Sequence, residues 1–194
     1  MGLLHRYTYH LRGGHQKTIE SNTLRAPQHI LTALTRFAQV TQEKLASPLD
    51  YDTHFKAYWS PHARDRVFGA NTDVFGTKFT GFSFCHPAHE DEFIDHLILH
   101  ALSSVKTTDT PTATFILLPS QRGWTKKGSM RWLLSYPDYA TVLAKFPTES
   151  LTFQPSQIYL PLTPPEKNKR HMKLIAVRNN EAKEQLFQNN PRWF

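Results

Sequence analysis

The sequence has very little cysteine: Cys85 is the only one among 194 residues. A single thiol excludes an internal disulfide framework and a cysteine-rich zinc module, and it fits a reducing compartment. Long hydrophobic runs are also missing, since no apolar stretch approaches the ~20 residues that a membrane span needs. The sequence contains no internal repeat. We therefore expect neither a disulfide-stabilised domain nor a membrane partner.

Acidic residues are the scarcer charged type. Asp and Glu number 16 against 23 Lys and Arg, which gives a formal net charge of +7, and 11 histidines can add positive charge below neutral pH. Hydrophobic residues make up 39%, enough for a core and too many for a disordered chain. A length of 194 residues indicates one domain. The basic balance favours a polyanion, most often nucleic acid, as the partner.

The first 27 residues are basic and poor in acid. Such a segment can be a mitochondrial import signal, an arm that lies on RNA phosphates, or a solvated tail. The first interpretation predicts a mitochondrial location, with the nucleus or the cytoplasm as the alternative. We predict a basic N-terminal arm over 1–27, a folded domain over 28–180 and a C-terminal tail over 181–194. The charged residues of the arm are Arg6, Arg12, Lys17 and Arg25 against Glu20.

Apolar periodicity predicts helices and strands in alternation. The continuous apolar run at 112–119 is typical of a strand covered on both faces. Asp91 and Glu92 begin a predicted helix, where the positive helix terminus favours acids. The alternation predicts an α/β sandwich with a mainly parallel sheet. The predicted helices are 28–46, 52–59 and Glu90–Val105; the predicted strands are 79–85, 112–119 and 173–179, with a strand end at 66–69; and 130–145 is predicted as helix or turn.

The segment 82–95 combines a strand, a proline turn and a helix. In open α/β sheets, ligands bind beyond the carboxyl ends of the strands. The segment therefore brings a set of candidate site residues to such an end. These residues are Cys85, His86, Pro87, Ala88 and His89.

Four stretches occur in the order and spacing of a known family. Ala46–Asp50 (ASPLD) is similar to its ASPLN, and Val67–Ala70 (VFGA) is similar to its YFGS. His86–Asp95 (HPAHEDEFID) aligns without a gap to its NPPF-x-EELMD-type segment. Phe115–Pro119 (FILLP), followed nearby by Trp124, is similar to its FIVFIPEW strand and loop.

On these stretches, residues 44–180 resemble the phosphorylated-CTD-interacting-factor family of messenger-RNA cap-adenosine methyltransferases, which methylate the exocyclic amine. The last predicted strand, KLIAVRNN, matches more loosely. The resemblance implies a class I methyltransferase-like, Rossmann-like fold over 28–180, a three-layer sandwich that here carries basic N- and C-terminal extensions. It also implies S-adenosylmethionine as the methyl donor.

The chain departs from the family at the catalytic turn. In the family's turn, the Asn oxygen and a backbone carbonyl accept the two hydrogens of the target amine, and the aromatic residue stacks on the base. Here Asn becomes His86, the first Pro stays as Pro87, the second becomes Ala88, and Phe becomes His89. A neutral imidazole has one acceptor nitrogen and an imidazolium has none. We expect amine methylation to be lost; the alternative is an active enzyme in which His86 and Pro87 substitute in the clamp.

A methyl-donor pocket has little support in the sequence. A typical pocket has a Gly-rich turn after the first strand and an acidic residue on the ribose. The candidates are Asp50, Gly69 and Asp73, and no GxG occurs around them. Lone glycines and aspartates are more often turn formers. We expect no cofactor in an inactive protein and S-adenosylmethionine in an active one.

Histidines near the cysteine also suggest a metal site. Cys85, His86 and His89, with His96 and His100 at helical i,i+4 spacing, form the candidate ligand set. The sequence contains no paired CxxC and no HExxH, and no Cys-His-Asn order supports a thiol nucleophile. We expect no metal.

Two basic runs with interleaved tryptophans are candidate RNA contacts. Phosphates bind Lys and Arg, and unpaired bases stack on Trp. The alternative is a solvated loop in which Trp124 or Trp132 packs in the core. We predict RNA contact through at least one run, and the second run continues to His171 and Lys173. The candidates are Arg122, Trp124, Lys126, Lys127, Arg131, Lys167, Lys169 and Arg170.

Three functions are open on this sequence. The first is an inactive methyltransferase-like protein that serves as an RNA-binding or structural subunit of a large ribonucleoprotein, with the mitochondrial ribosome as the candidate complex. The second is an active RNA adenosine-N6 methyltransferase. The third is a protein-interaction domain in which Pro191, Trp193 and Phe194 dock on a neighbour. We predict the first, with RNA and neighbouring proteins of the complex as partners.

Overall fold

The computed structural model of the protein describes residues 24–87, 91–120, 128–155, 166–167 and 170–189. Its helices are α1 (Gln28–Ala38), α2 (Asp91–Lys106), α3 (Gly128–Leu134) and α4 (Asn180–Asn189), with a short 3-10 helix at Ala63–Phe68. Its strands are β1 (Leu24–Arg25), β2 (Gln42–Lys44), β3 (Ala57–Trp59), β4 (Gly81–Cys85), β5 (Thr112–Pro119), β6 (Ala140–Phe146), β7 (Thr152–Pro155), β8 (Glu166–Lys167) and β9 (Met172–Arg178).

The main sheet has six strands in the order β3-β2-β4-β5-β9-β6. The first four are parallel to one another. β9 is antiparallel to both of its neighbours, so β6 points the same way as β5. The sheet is therefore mixed, with one reversed strand next to an edge, and the predicted α/β class is confirmed.

The central strand β5 organises the core. All eight of its residues are buried. Within the ladder, Phe115 pairs with Phe84 of β4 on one side and with Ala176 of β9 on the other. A strand that is paired on both edges and covered on both faces needs apolar side chains throughout. The strand predicted at 112–119 is confirmed with the same bounds.

Helices cover both faces of the main sheet. Successive side chains of β5 point to opposite faces, so Phe115 and Leu117 pack with α1 and α4, whereas Ile116 and Leu118 pack with α2 and α3. The domain therefore has three layers. The buried helix residues on the first face are Ile30, Leu31, Leu34, Ala38, Ala182 and Leu186, and those on the second are Ile94, Leu97, Ile98, Ala101, Leu102, Val105, Met130 and Leu133.

Helix α2 confirms the helix predicted over Glu90–Val105: Glu90 lies outside the described residues, and the helix ends one residue later than predicted, at Lys106. Asp91 and Glu92 lie in the first turn and Lys106 lies in the last turn. These charges complement the helix dipole at both ends. Among the described residues, no helix has the length and hydropathy to span a membrane.

The helix predicted over 28–46 is too long. α1 ends at Ala38 because Gln39 takes a left-handed backbone conformation with φ of 54°. The N–H of Gln39 bonds back to the carbonyl of Leu34, which closes the last turn. The chain then enters β2 at Gln42, so residues 42–44 of the predicted helix form a strand of the main sheet.

The helix predicted over 52–59 is wrong. Ala57–Trp59 forms β3, which pairs in parallel with β2 at the edge of the sheet. A short segment with Phe55, Tyr58 and Trp59 fits either period, and pairing with a distant strand decides between them.

Two further expectations also change. The strand end predicted at 66–69 is part of the 3-10 helix Ala63–Phe68, which Gly69 ends at φ of 85°. The region 130–145, predicted as helix or turn, divides into α3 and the edge strand β6.

The residues after β9, which composition predicts to be a polar tail, form α4. Asn179 caps this helix, since its side-chain oxygen accepts the N–H of Ala182 at 3.0 Å. The same oxygen accepts the N–H of Thr112 at 3.0 Å, which ties the helix start to β5. Ala182 and Leu186 are buried, so residues 180–189 belong to the folded domain.

A second, three-stranded sheet has the order β1-β7-β8 and is antiparallel. Arg25 of β1 pairs with Gln154 of β7, and Phe153 pairs with Glu166 of β8. Leu151 and Phe153 pack in the same core cluster as α1. Residues 24–25, which composition assigns to the arm, therefore form part of this small sheet.

Candidate functional site

The topological switch point of the main sheet lies between β2 and β4. The chain leaves β2 toward β3 on one side, and β4 pairs with β2 on the other side. Lys44 and Cys85, the last residues of these two strands, are directly paired. Ligands of open α/β sheets bind at the carboxyl ends of the strands at such a point. The loops that follow, 45–50 and 86–87, therefore flank the candidate site.

The loop after β2 is closed by its own hydrogen bonds. The hydroxyl of Ser47 donates to the carboxylate of Asp50, and the N–H of Leu49 donates to the Ser47 hydroxyl at 3.2 Å. Burial raises the pKa of Asp50 to about 6, and the Ser47 hydrogen bond opposes this rise. Asp50, a candidate for the ribose contact, thus has the geometry of a turn former.

A cluster of carboxylates and one arginine lies beside this loop. The guanidinium of Arg25 lies 2.8 Å from the carboxylate of Asp52, whose side chain is only 2% exposed. His54 lies 2.6 Å from the other oxygen of Asp52. Because Arg25 belongs to β1, this ion pair attaches the small sheet to the switch point.

Glu43 of β2 is a further buried member of the cluster. Its carboxylate accepts the N–H of Asp52 at 2.7 Å. Burial raises the pKa of Glu43 to about 8, and the neighbouring Asp50 and Asp52 add to the rise. Glu43 is therefore mainly protonated at neutral pH, so it adds no uncompensated negative charge to the interior.

Lys44, the next residue of β2, points to the other side of the strand. Its ammonium nitrogen lies 3.0 Å from the ring centroid of Trp59 and 5.3 Å from that of Phe79. Burial lowers the pKa of Lys44 to about 8. The two aromatic faces favour the charged form.

Cys85 ends β4 and is fully buried. Burial raises the pKa of its thiol well above the ordinary value. A protonated thiol is neither a nucleophile nor a metal ligand. Within the described ranges, no three side chains of His, Cys, Asp or Glu converge in a way that could hold a metal ion.

His86 is half-buried and stacks on Phe153 of β7. The two ring centroids lie 5.3 Å apart at an interplanar angle of 24°. Phe153 is 4% exposed, so the small sheet itself covers one face of the imidazole. Pro87 is buried beside it. Ala88 and His89, the other two residues of the motif, lie outside the described residues.

Gly69 and Asp73 have backbone roles near the β3 edge. Gly69 ends the 3-10 helix in a left-handed conformation. Asp73 also has a positive φ, of 60°, and its carbonyl accepts the N–H of Gly76 at 3.1 Å. A Cβ at Gly76 would collide with the Asp73 carboxylate, which explains the glycine there. Gly69 and Asp73, two of the candidates for binding the methyl donor, are therefore exposed residues of turns.

The predicted RNA contacts are described in part. Arg131 and Trp132 lie on α3 and are exposed, Trp132 by 58%, so Trp132 is not the core residue that the alternative interpretation required. Arg170 is exposed. Lys167 belongs to β8. Arg122, Trp124, Lys126, Lys127 and Lys169 lie outside the described residues.

Residues 1–139 match the protein family described as Phosphorylated CTD interacting factor 1 WW domain. The match covers more than half of the chain. The chain belongs to the phosphorylated-CTD-interacting-factor family. The match includes the four stretches from Ala46 to Pro119 that carry the resemblance, and it includes β2 to β5 of the main sheet. No curated protein matches the chain.

In this member of the phosphorylated-CTD-interacting-factor family, several residues at the switch point are not among the site residues predicted from the sequence motifs. Arg25, Glu43, Asp52 and Phe153 all contact it or its loops. Arg25 and Phe153 lie far from it in the sequence, so no local pattern marks them. Glu43 lies within the helix predicted over 28–46, which is too long. In such a helix an acidic residue is expected on the solvent-exposed face.

Proposed function

We propose that this chain is a catalytically inactive methyltransferase-like protein that binds RNA as a structural subunit of a large ribonucleoprotein. The observation that carries the proposal is the stack of Phe153 on His86. In a methyltransferase-like site, the turn after β4 faces the target base. Here an aromatic side chain of the same chain lies against that turn.

The order of the main sheet supports the methyltransferase-like part of the proposal. β9 runs antiparallel between β5 and β6, next to the edge of an otherwise parallel sheet. A mainly parallel sheet with helices on both faces is what the Rossmann-like, three-layer resemblance implies. The proline turn with His86 and Pro87 follows the strand beside the switch point, as the resemblance also implies.

The residues at the switch point do not fit a methyl donor. To bind S-adenosylmethionine, the site needs a carboxylate that accepts the ribose hydroxyls and a backbone turn that is open to the ligand. Asp50 is bonded to Ser47, and Asp52 is paired with Arg25 and His54. Glu43, with its raised pKa, is a poor acceptor for two hydroxyls at neutral pH. These contacts favour a protein without cofactor.

The charge balance supports the RNA-binding part of the proposal. The net charge is +7, and the described part of α3 exposes Arg131 next to Trp132. An exposed cation and an exposed aromatic ring on one short helix suit a phosphate and an unpaired base. The undescribed run 121–127 adds Arg122, Lys126 and Lys127 to the same stretch of sequence.

The basic, acid-poor first 27 residues favour a mitochondrial location. The mitochondrial ribosome is then the large ribonucleoprotein that we propose as the complex. Native purification of the tagged full chain, followed by mass spectrometry of the co-purifying proteins and RNA, tests this. Recovery from the nucleus or the cytoplasm, without ribosomal components, contradicts it.

Two measurements on the purified chain test the lost chemistry. Calorimetry with S-adenosylmethionine is expected to show no binding. No transfer of labelled methyl groups to adenosine-containing RNA is expected. Transfer that disappears in His86→Ala but persists in the matched exposed variant His62→Ala would support the alternative, an active RNA adenosine-N6 methyltransferase. That result would overturn the inactive assignment.

A further inference from the structure

A second site lies at the same edge of the main sheet but beyond β5. An open pocket of about 200 Å³ lies at the carboxyl ends of β5 and β6 and the start of β9. Its volume is several times the ~30 Å³ that one water occupies in the liquid, so it can hold a phosphate group. The pocket is lined by Ser120, Lys145, Phe146, Pro147, His171, Met172 and Lys173.

Two lysines face each other in this pocket. Lys145 of β6 pairs directly with Lys173 of β9. Directly opposite residues of an antiparallel pair point to the same face, with Cβ atoms about 5 Å apart, and like charges there destabilise the sheet. Within the described ranges, neither lysine forms an ion pair with an acid. The pair therefore concentrates two positive charges with no internal counter-charge on the described residues.

Protection of an exposed sheet edge does not account for both lysines. A lysine on an edge strand discourages unwanted strand pairing, and Lys145 on β6 fits that role. Lys173 does not, because β9 lies between β5 and β6 and has no free edge. Lys173 is also half-buried, next to Leu118 of β5 in the ladder. A cation kept at an interior, partly covered position points to an anion outside the chain.

The remaining polar groups of the pocket suit a phosphate. The N–H of Ser120 donates to the carbonyl of His171 at 2.5 Å, which joins the end of β5 to the start of β9. Ser120 and the exposed His171 thus lie side by side on the pocket wall. Phosphates in nucleic acids accept hydrogen bonds from Lys and from Ser hydroxyls.

We propose that the pocket between Lys145 and Lys173 binds a backbone phosphate of a single-stranded RNA. The proposal rests on the RNA-binding function proposed above. It adds a specific contact for that function: Lys173 belongs to the second predicted basic run, whereas Lys145 belongs to neither run. The two ammonium groups hold the phosphate, and the Ser120 hydroxyl donates to one of its oxygens.

The test compares two double variants of the full chain with equal loss of charge. K145Q/K173Q removes the pocket lysines, and the matched control K56Q/K183Q removes two exposed lysines that lie outside the pocket. Binding of a labelled single-stranded RNA oligonucleotide is measured over a range of salt concentrations. K145Q/K173Q is expected to weaken binding on the order of tenfold and to lower the salt slope by about 0.7, the contribution of one phosphate contact on a single strand.

A third variant separates charge from packing. K145R/K173R keeps both charges and is expected to bind RNA within about threefold of the unmodified chain, since phosphate contacts depend on charge rather than on shape. Circular dichroism of each variant verifies that the fold is intact. Inorganic phosphate is expected to compete for the RNA in the unmodified chain and to compete less in K145Q/K173Q.

The outcomes separate this proposal from the function on which it rests. If the unmodified chain binds no RNA, both fail. If it binds RNA but K145Q/K173Q behaves like K56Q/K183Q in affinity and slope, the pocket assignment fails while RNA binding stands. Displacement of the RNA by a phosphoserine peptide, but not by an equal concentration of inorganic phosphate, assigns the pocket to a protein partner and also overturns the proposal.

Discussion

The switch point and the Lys145–Lys173 pocket lie at the same carboxyl edge of one sheet, yet they are built in opposite ways. At the switch point, opposite charges meet: Arg25 neutralises Asp52, and Phe153 covers His86. In the pocket, like charges meet in register. The first region satisfies its polar groups within the chain. In the second, no acid of the described residues pairs with the two lysines, so it is the better candidate for a ligand.

The largest expected effect comes from opening the covered region. Phe153→Ala removes a ring that is 4% exposed, packed in the core and stacked on His86. We expect a loss of about 3–5 kcal/mol in the free energy of unfolding, as for other buried aromatic truncations. Urea denaturation measures it. The control Phe68→Ala removes a ring that is 46% exposed and is expected to cost under about 1 kcal/mol; equal losses in both variants would contradict the role of Phe153 as a cover.

The next effect comes from breaking the charge balance of the switch point. Arg25→Ala leaves the buried carboxylate of Asp52 without its guanidinium. Removing one partner of a buried pair costs about 3–5 kcal/mol, and the 20% exposure of Arg25 reduces this to about 2–3 kcal/mol. The unfolding midpoint in urea gives the value. Arg64→Ala, an exposed arginine on the 3-10 helix, is expected to change it by less than about 0.5 kcal/mol.

A pH series sharpens the same comparison. The pKa of Glu43 is about 8 in the folded state, above its ordinary value of 4.5. The folded state therefore holds a proton that the unfolded state releases, and stability falls as pH rises from about 4.5 to 8. Asp50, with its raised pKa of about 6, acts in the same direction over the lower part of this window.

Glu43→Gln is expected to flatten this decline, because the amide stays neutral and its oxygen can still accept the N–H of Asp52. Unfolding midpoints of both proteins between pH 5 and pH 8 are the measurement, and the advantage of the variant should grow with pH. A constant difference across this range would mean that Glu43 is ionised in the folded state. The matched variant Glu92→Gln, in the exposed first turn of α2, should show no such trend.

The smallest effect concerns the repulsion in the pocket. Lys173→Gln removes one of two like charges that lie directly opposite each other. We expect a gain of about 0.5 kcal/mol, seen as a higher melting temperature without added anion. Phosphate should raise the melting temperature of the unmodified chain more than that of the variant. A lower melting temperature for the variant would show that Lys173 stabilises the sheet by packing instead.

Much of the central fold was predictable from local patterns. The apolar run of β5 and the amphipathic α2 are long enough for their periods to decide their type. The proline turn after β4 was correctly predicted to follow a strand. The short strands β2 and β3 were not predicted, because three residues carry no usable period and parallel pairing is decided by distant partners.

The covered state of the candidate site could not be predicted. Phe153 meets His86, and Arg25 meets Asp52, across wide separations in the chain. Both contacts depend on the pairing of β1 with β7, which joins residues near the two ends of the domain. No spacing rule marks such pairs, since the energy that forms them comes from packing and charge neutralisation in the folded state.

By itself the sequence determined the positive charge, the α/β alternation and the altered residues after β4, because composition and period are properties of neighbouring residues along the chain. Only the tertiary structure decided that the switch point is neutralised and covered from within, and that Lys145 and Lys173 share one face of a pocket. The physical reason is that both outcomes depend on strand register, and register is set where distant segments bury their apolar side chains together.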